Sequence, residues 1–144
     1  MSVQNITLIK EFNAPIDTVF EALTDHATFG ELMSTPITRI VDSESDSVNG
    51  VGSIRSIKLP LAPLFEETVV SYEKNKLMEY TISKGSPIKN HMGRMTFTDN
   101  DGKTKLHYTI QLEPKLPIPF LGSIIKLGLE KSISSALDKL ASRY

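Results

Sequence analysis

The sequence predicts an α+β fold in which one long C-terminal helix packs across a curved antiparallel sheet. The stretch Phe120–Arg143 carries apolar residues three and four positions apart, which places them on one face of an α-helix. Most of the chain between Pro36 and Leu112 consists of short segments that are typical of β-strands. No repeat or long linker divides the 144 residues, so residues 1–144 are expected to form a single domain. The apolar residues of the helix are Leu121, Ile124, Ile125, Leu129, Ile133, Ala136, Leu137 and Leu140.

The N-terminal region is predicted to form one strand and two short helices. Ile6–Phe12 is rich in β-branched residues and alternates roughly, as a strand does. Pro15–Thr24 is predicted to be a helix, because proline suits the first turn, where its missing N–H is no loss. A second short helix is expected at Ala27–Leu32.

Six further strands complete the predicted sheet of seven. Polar turns separate several of them, most clearly at Glu73–Lys76 and Asp99–Gly102. Three prolines between residues 114 and 119 form a stiff connection to the long helix. The predicted strands are Ile37–Ser43, Gly52–Leu59, Phe65–Tyr72, Leu77–Ser83, His91–Thr98 and Thr104–Leu112.

Composition argues against several functional classes. The formal net charge is −1 and the basic residues are scattered among acids, which disfavours nucleic-acid binding. There is no cysteine, and no two of the three histidines have the spacing of metal ligands, so we expect neither a metal site nor a cofactor. No apolar run approaches the roughly 20 residues that span a bilayer. We therefore expect a cytoplasmic protein without stable membrane insertion, either a monomer or a homodimer.

Several ordered segments of the chain resemble the START-like superfamily, most closely its SRPBCC branch of polyketide cyclase/dehydratase-like proteins. The resemblance covers nearly the whole chain and implies a helix-grip fold, in which two short helices, a curved seven-stranded sheet and a long C-terminal helix enclose a cavity. It also implies a range of functions, because the superfamily includes lipid carriers, hormone binders, cyclases and hydrolases. The segments are Ile6–Phe12 with Asn13–Asp25, Gly50–Leu59, Phe65–Ile82, Ser86–Phe97 and Thr104–Ile110.

Strand alternation predicts which side chains face the interior. In the last strand the apolar residues Leu106, Tyr108, Ile110 and Leu112 share one side, and this side is expected to face the helix. The same parity in other strands groups Arg55 with Ile57 and Leu59, Glu67 with Val69, Met78 with Tyr80, and His91 with Met95 and Phe97.

A few polar groups are thereby predicted among aliphatic neighbours, as in ligand pockets. Arg55 and Glu67 lie on consecutive strands and are candidates for an ion pair. The alternatives are an exposed cross-strand pair, a structural His91 and ordinary core tyrosines. The candidate ligand contacts are Arg55, Glu67, Tyr80, His91, Met95, Phe97, Tyr108, Ile125 and Leu129.

Three functions are compatible with this pattern. The first is binding or carriage of a small hydrophobic molecule, such as a lipid, isoprenoid or polyketide-like aromatic. The second is a cyclase or dehydratase acting on a polyketide-like substrate, with acid–base groups drawn from His91, Glu67, Arg55 and Tyr80. The third is a chaperone-like interaction partner in a lipid or quinone pathway, with a lipophilic rim as the contact surface. That predicted rim consists of Leu61, Leu64, Leu116 and Phe120.

Overall fold

The computed structural model describes residues 3–59 and 63–144, which form a seven-stranded antiparallel sheet and three helices. The spatial order of the strands is β1-β7-β6-β5-β4-β3-β2, so β1 and β2 are the two edges. Register shifts interrupt the pairing of β2 with β3, of β4 with β5 and of β6 with β7, and such irregularities bend strands. The strands are β1 Gln4–Phe12, β2 Ile37–Val41, β3 Ile54–Ile57, β4 Phe65–Glu73, β5 Leu77–Lys84, β6 Ile88–Asn100 and β7 Lys103–Pro114.

Two short helices join the two edges of the sheet, and a long helix follows the last strand. Helix α1 covers Ile16–Thr24 and helix α2 covers His26–Met33. Asp25 caps α2, because its side chain accepts a hydrogen bond from Thr28 N–H at 3.0 Å. Helix α3 covers Leu121–Ala141 and contacts β1, β7 and α2. The predicted α+β fold is confirmed.

Helix α3 is buried along only part of its length. Its C-terminal half inserts Ile133, Leu137 and Leu140 into the core, and Lys10 of β1 pairs with Asp138 at 2.6 Å. Towards its N-terminus, the predicted apolar face is wrong at Ile124, which is 64 % exposed. The spacing of the apolar residues predicts which face of the helix is buried. It carries no information on how far the sheet extends beneath the helix.

Several predicted strand boundaries also differ from the structure, and two of these differences have a clear cause. Strand β3 ends at Ile57, because β4 begins opposite that residue, so Leu59 is exposed and does not share the inner face. Strand β6 begins at Ile88, three residues before the predicted start, because β7 extends far enough for Ile88 to pair with Pro114. Both differences arise from the length of a neighbouring strand, which a local pattern does not report.

Candidate functional site

An ion pair lies inside the grip, between β3 and β4. The register of these strands sets Arg55 directly opposite Glu67. Arg55 donates from Nε and Nη2 to Glu67 Oε1 at 2.9 and 2.8 Å. The two residues are 1 % and 6 % exposed. The predicted inward ion pair is therefore present, and the alternative of an exposed cross-strand pair is wrong.

The guanidinium group of Arg55 is enclosed by aromatic rings and a histidine. Its Cζ atom lies 5.2 Å from the centre of the Phe29 ring and 4.6 Å from that of Tyr80, within cation–π range. Its Nη1 lies 3.5 Å from His26 Nδ1. Burial lowers the pKa of the guanidinium, yet the Glu67 carboxylate together with the phenols of Tyr80 and Tyr108 raises it by more in total, so the pKa lies above its usual value. Arg55 is thus surrounded by a carboxylate, a histidine nitrogen and two aromatic rings.

His26 also belongs to this cluster, although no sequence pattern predicted that position. Its Nε2 lies 3.0 Å from Ser53 Oγ, and its backbone N–H donates to Asn49 Oδ1. Burial and the positive charge of Arg55 lower its pKa from 6.5 to about 3, so the ring is neutral at pH 7. A lone histidine at the start of a short helix carries no pattern that assigns it to an interior cluster.

His91 is held in one tautomer by the backbone. Its Nδ1 accepts a hydrogen bond from Ile82 N–H at 3.1 Å. Burial lowers the pKa of His91, and Glu67 only partly opposes this, so the ring is neutral at pH 7 and its proton lies on Nε2. Nε2 lies 3.9 Å from Glu67 Oε2, which is too far for a hydrogen bond. The side chain therefore presents an N–H donor towards Glu67.

Two tyrosines complete the polar cluster. The hydroxyl groups of Tyr80 and Tyr108 contact each other across β5, β6 and β7. Burial raises the pKa of both phenols, so both are protonated at neutral pH. The ring of Tyr80 lies against Gly93 of β6, where any side chain would collide with it. This close approach explains why a glycine occupies the middle of a long strand.

The apolar candidates divide into two groups. Met95 and Phe97 are buried within the core, and Phe97 packs edge-on against Phe20 with 5.0 Å between ring centres. Ile125 and Leu129 of α3 contact the core but are only partly buried. The same holds for Ile88 at the start of β6. Ile88 lies at the end of the sheet where β4 and β6 begin, and Ile125 and Leu129 lie in the N-terminal half of α3.

An exposed apolar rim lies at this end of the sheet. Gly85 lies beside the backbone of Leu64, and Lys115 N–H donates to Pro87 O at 2.7 Å, so the three loops at this end are contiguous. Within the described residues the predicted rim is exposed, and Phe120 is 81 % exposed. We therefore define the rim as Leu64, Leu116, Ile118 and Phe120; the predicted member Leu61 lies outside the described residues.

A cleft of about 670 Å³ lies at the end of the sheet opposite the rim. It is lined by Tyr72 near the end of β4 and by four carboxylates on α1 and the neighbouring loops. None of the candidate residues predicted from sequence lines it. No group of three or more metal-ligating side chains occurs in residues 3–59 and 63–144. Across the same residues, no helix is both long and apolar enough to cross a bilayer.

A curved sheet that grips a long helix, with polar groups buried among apolar walls, defines the START-like helix-grip class. The family model described as polyketide cyclase/dehydrase and lipid transport matches residues 4–144. The chain therefore belongs to this family, and the predicted resemblance is confirmed. No curated protein matches the sequence.

The solved structures that are similar to this chain share its fold at low sequence identity. A START superfamily protein from Mycobacterium smegmatis superimposes with a TM-score of 0.78 at 14 % identity, covering 96 % of this chain and 97 % of that one. Ara h 8.0201 superimposes with a TM-score of 0.72 at 13 % identity, covering 99 % and 100 %. Norcoclaurine synthase from Thalictrum flavum, in complex with dopamine and hydroxybenzaldehyde, gives 0.70 at 14 % identity, covering 99 % and 88 %.

Proposed function

We propose that this chain binds and carries a small hydrophobic molecule, such as a lipid, isoprenoid or polyketide-like aromatic, inside the grip. The observation that carries this proposal is the buried polar cluster on the inner face of the sheet. Burying the Arg55–Glu67 pair in a solid core would cost more than an apolar pair. A ligand site, in contrast, combines apolar walls with a few placed polar groups. The family description, which names lipid transport, supports the same function.

The ligand would enter at the rim and lie between α3 and the polar cluster. Ile125 and Leu129 would contact its apolar body, and Ile88 would flank the entrance. Tyr80, His91 and the other polar candidates would contact its polar end, whereas Met95 and Phe97 would support the floor. The rim could also contact a protein partner, as in the third function considered above, but no partner-specific feature favours that reading.

The geometry favours binding over acid–base catalysis. A general base needs a free lone pair near the reacting proton. His91 has none at pH 7, because Nδ1 already accepts from Ile82 N–H and Nε2 carries the proton. Tyr80 is protonated and Arg55 is engaged by Glu67. Within the described part of the chain, Glu67 Oε2 is the one atom of these four candidates that keeps an open lone pair, so a cyclase or dehydratase would have to use Glu67 as its base. That activity stays an alternative prediction.

Titration with a neutral apolar fluorophore, N-phenyl-1-naphthylamine, tests the proposal. The fluorophore should brighten on binding. Ile125→Asp and Leu129→Asp should weaken this binding at least about tenfold, because each places a charge against an apolar ligand. The matched control is Leu127→Asp on the same helix, since Leu127 is exposed and lies outside the core. Absence of binding to the wild-type protein, or equal binding by all variants, would refute the proposal.

Three expectations accompany the proposed function and stay predictions. They are a cytoplasmic location, a monomeric or homodimeric state, and a single domain over residues 1–144. Sedimentation of the purified protein with and without fluorophore would determine the oligomeric state.

A further inference from the structure

A gap between Glu67 and His91 separates a hydrogen-bond acceptor from a hydrogen-bond donor. Building on the proposed function, we infer that the carried ligand bears a neutral hydroxyl group, which donates to Glu67 Oε2 and accepts from His91 Nε2–H. The gap lies between Glu67 Oε2 and His91 Nε2, and these two atoms are 3.9 Å apart. The inference therefore names the chemical class of the ligand at the proposed site.

The acceptor side of the gap is one oxygen of a carboxylate. Glu67 Oε1 takes both hydrogen bonds from Arg55. Glu67 Oε2 accepts no hydrogen bond from residues 3–59 and 63–144, and His91 Nε2 lies 3.9 Å from it. A carboxylate oxygen accepts two hydrogen bonds, so Oε2 retains its full capacity.

The donor side of the gap is the Nε2–H group of His91. The hydrogen bond from Ile82 N–H to Nδ1 fixes this tautomer, and it also fixes the direction of the ring. An oxygen placed beside the gap can lie about 2.8 Å from both Oε2 and Nε2, which is normal hydrogen-bond distance. The site is therefore built for one oxygen that both donates and accepts.

Only a hydroxyl group meets both requirements without adding charge. A carbonyl or ether oxygen accepts from His91 but has no proton for Glu67. A carboxylate would meet the negative charge of Glu67 at short range. Arg55 offers little to offset that repulsion, because its charge is already paired with Glu67 through Nε and Nη2.

The gap also lies where a ligand can reach it. Glu67 is the third residue of β4 and His91 the fourth of β6, so both lie near the end of the sheet that carries the rim. At 6 % and 8 % exposed, they are the least enclosed members of the polar cluster, and Arg55 and Tyr108 are almost fully enclosed. An apolar chain lying along Ile125 would bring its terminal group to this position.

Displacement of N-phenyl-1-naphthylamine from the wild-type protein tests the inference. Three competitors of matched length are compared at pH 7.5: 1-decanol, decyl methyl ether and decanoate. A hydrogen bond to a charged group predicts that decanol displaces the fluorophore at a concentration on the order of tenfold lower than the ether. Decanoate should be the weakest of the three. His91→Phe should bring the affinities for decanol and the ether to within about twofold of each other, with both measured against the variant's own affinity for the fluorophore.

The control variant is His107→Phe, since His107 lies on the outer face of β7 and should leave the ranking unchanged. Equal affinity for decanol and the ether, with the fluorophore still bound, would overturn the inference and leave the proposed function intact. Tightest binding by decanoate would likewise overturn the inference and leave the proposed function intact. No binding of the fluorophore would overturn both. The comparison in the wild-type protein decides the matter even if His91→Phe fails to fold.

Discussion

Replacing one or both members of the buried ion pair gives the sharpest prediction about stability. Arg55→Met removes the guanidinium and leaves the carboxylate of Glu67 buried without its partner. Such a loss typically costs about 3–5 kcal/mol, because the remaining charge has lost its compensation. Two cation–π contacts, with Phe29 and Tyr80, disappear as well. Against a total stability of about 5–15 kcal/mol, the single variant should be strongly destabilised.

The double variant Arg55→Met with Glu67→Leu should recover most of this loss. An apolar pair of similar volume is often as stable as a buried ion pair or more stable, because neither charge has to leave water. Urea unfolding at pH 7.5, followed by far-ultraviolet circular dichroism, measures the free energy of unfolding of each variant. The four proteins form a double-mutant cycle, and we expect a coupling energy of at least about 3 kcal/mol, because each single variant leaves one buried charge unpaired.

The matched control is the exposed pair of Lys76 and Glu73, whose side chains lie 3.2 Å apart on the turn after β4. Replacing Lys76 with Met and Glu73 with Leu should change the free energy of unfolding by less than about 1 kcal/mol. A cost under about 1 kcal/mol for Arg55→Met, or a double variant as unstable as the sum of the singles, would refute the reasoning. Either result would mean that water reaches the pair more freely than its burial indicates.

Two further predictions concern stability. The folded state keeps His26 neutral, with its pKa lowered to about 3, whereas the unfolded chain binds a proton near pH 6.5. The free energy of unfolding should therefore fall by up to about 1.4 kcal/mol per pH unit as pH decreases from 6.5 towards 3. Urea titrations across this range should give a smaller slope for His26→Gln than for the wild-type protein, and equal slopes would contradict this prediction. Separately, Gly93→Ala drives a methyl group into the phenol ring packed against it and should cost about 1–3 kcal/mol in thermal unfolding. Gly128→Ala on the open face of α3 should instead stabilise by up to about 1 kcal/mol, and equal effects at both glycines would contradict this account.

Alternation in the sequence was enough to predict the inner face of the sheet. Arg55, Glu67, Tyr80, His91 and Tyr108 were grouped by parity alone, and all five lie buried on one face. This succeeds because side chains of a strand alternate strictly, so one correctly assigned residue fixes the direction of the others. The ligand-binding roles of these residues stay predictions.

The contacts within the buried polar cluster could not be predicted from the sequence. Nothing local indicates that His26 approaches Arg55, since 29 positions separate them and α2 brings them together. The tautomer of His91 depends on a backbone group of the neighbouring strand. These features depend on register and on helix placement, which arise from the packing of distant segments.

By itself, the sequence determined the number and order of the elements and the faces they bury, because these follow from the periods of helix and strand. Tertiary structure alone decided how much of α3 the sheet covers, where β3 ends and which atoms of the buried cluster keep free hydrogen-bonding capacity. The physical reason is that periodicity acts within a segment, whereas coverage and hydrogen-bond satisfaction depend on neighbours far away in the chain.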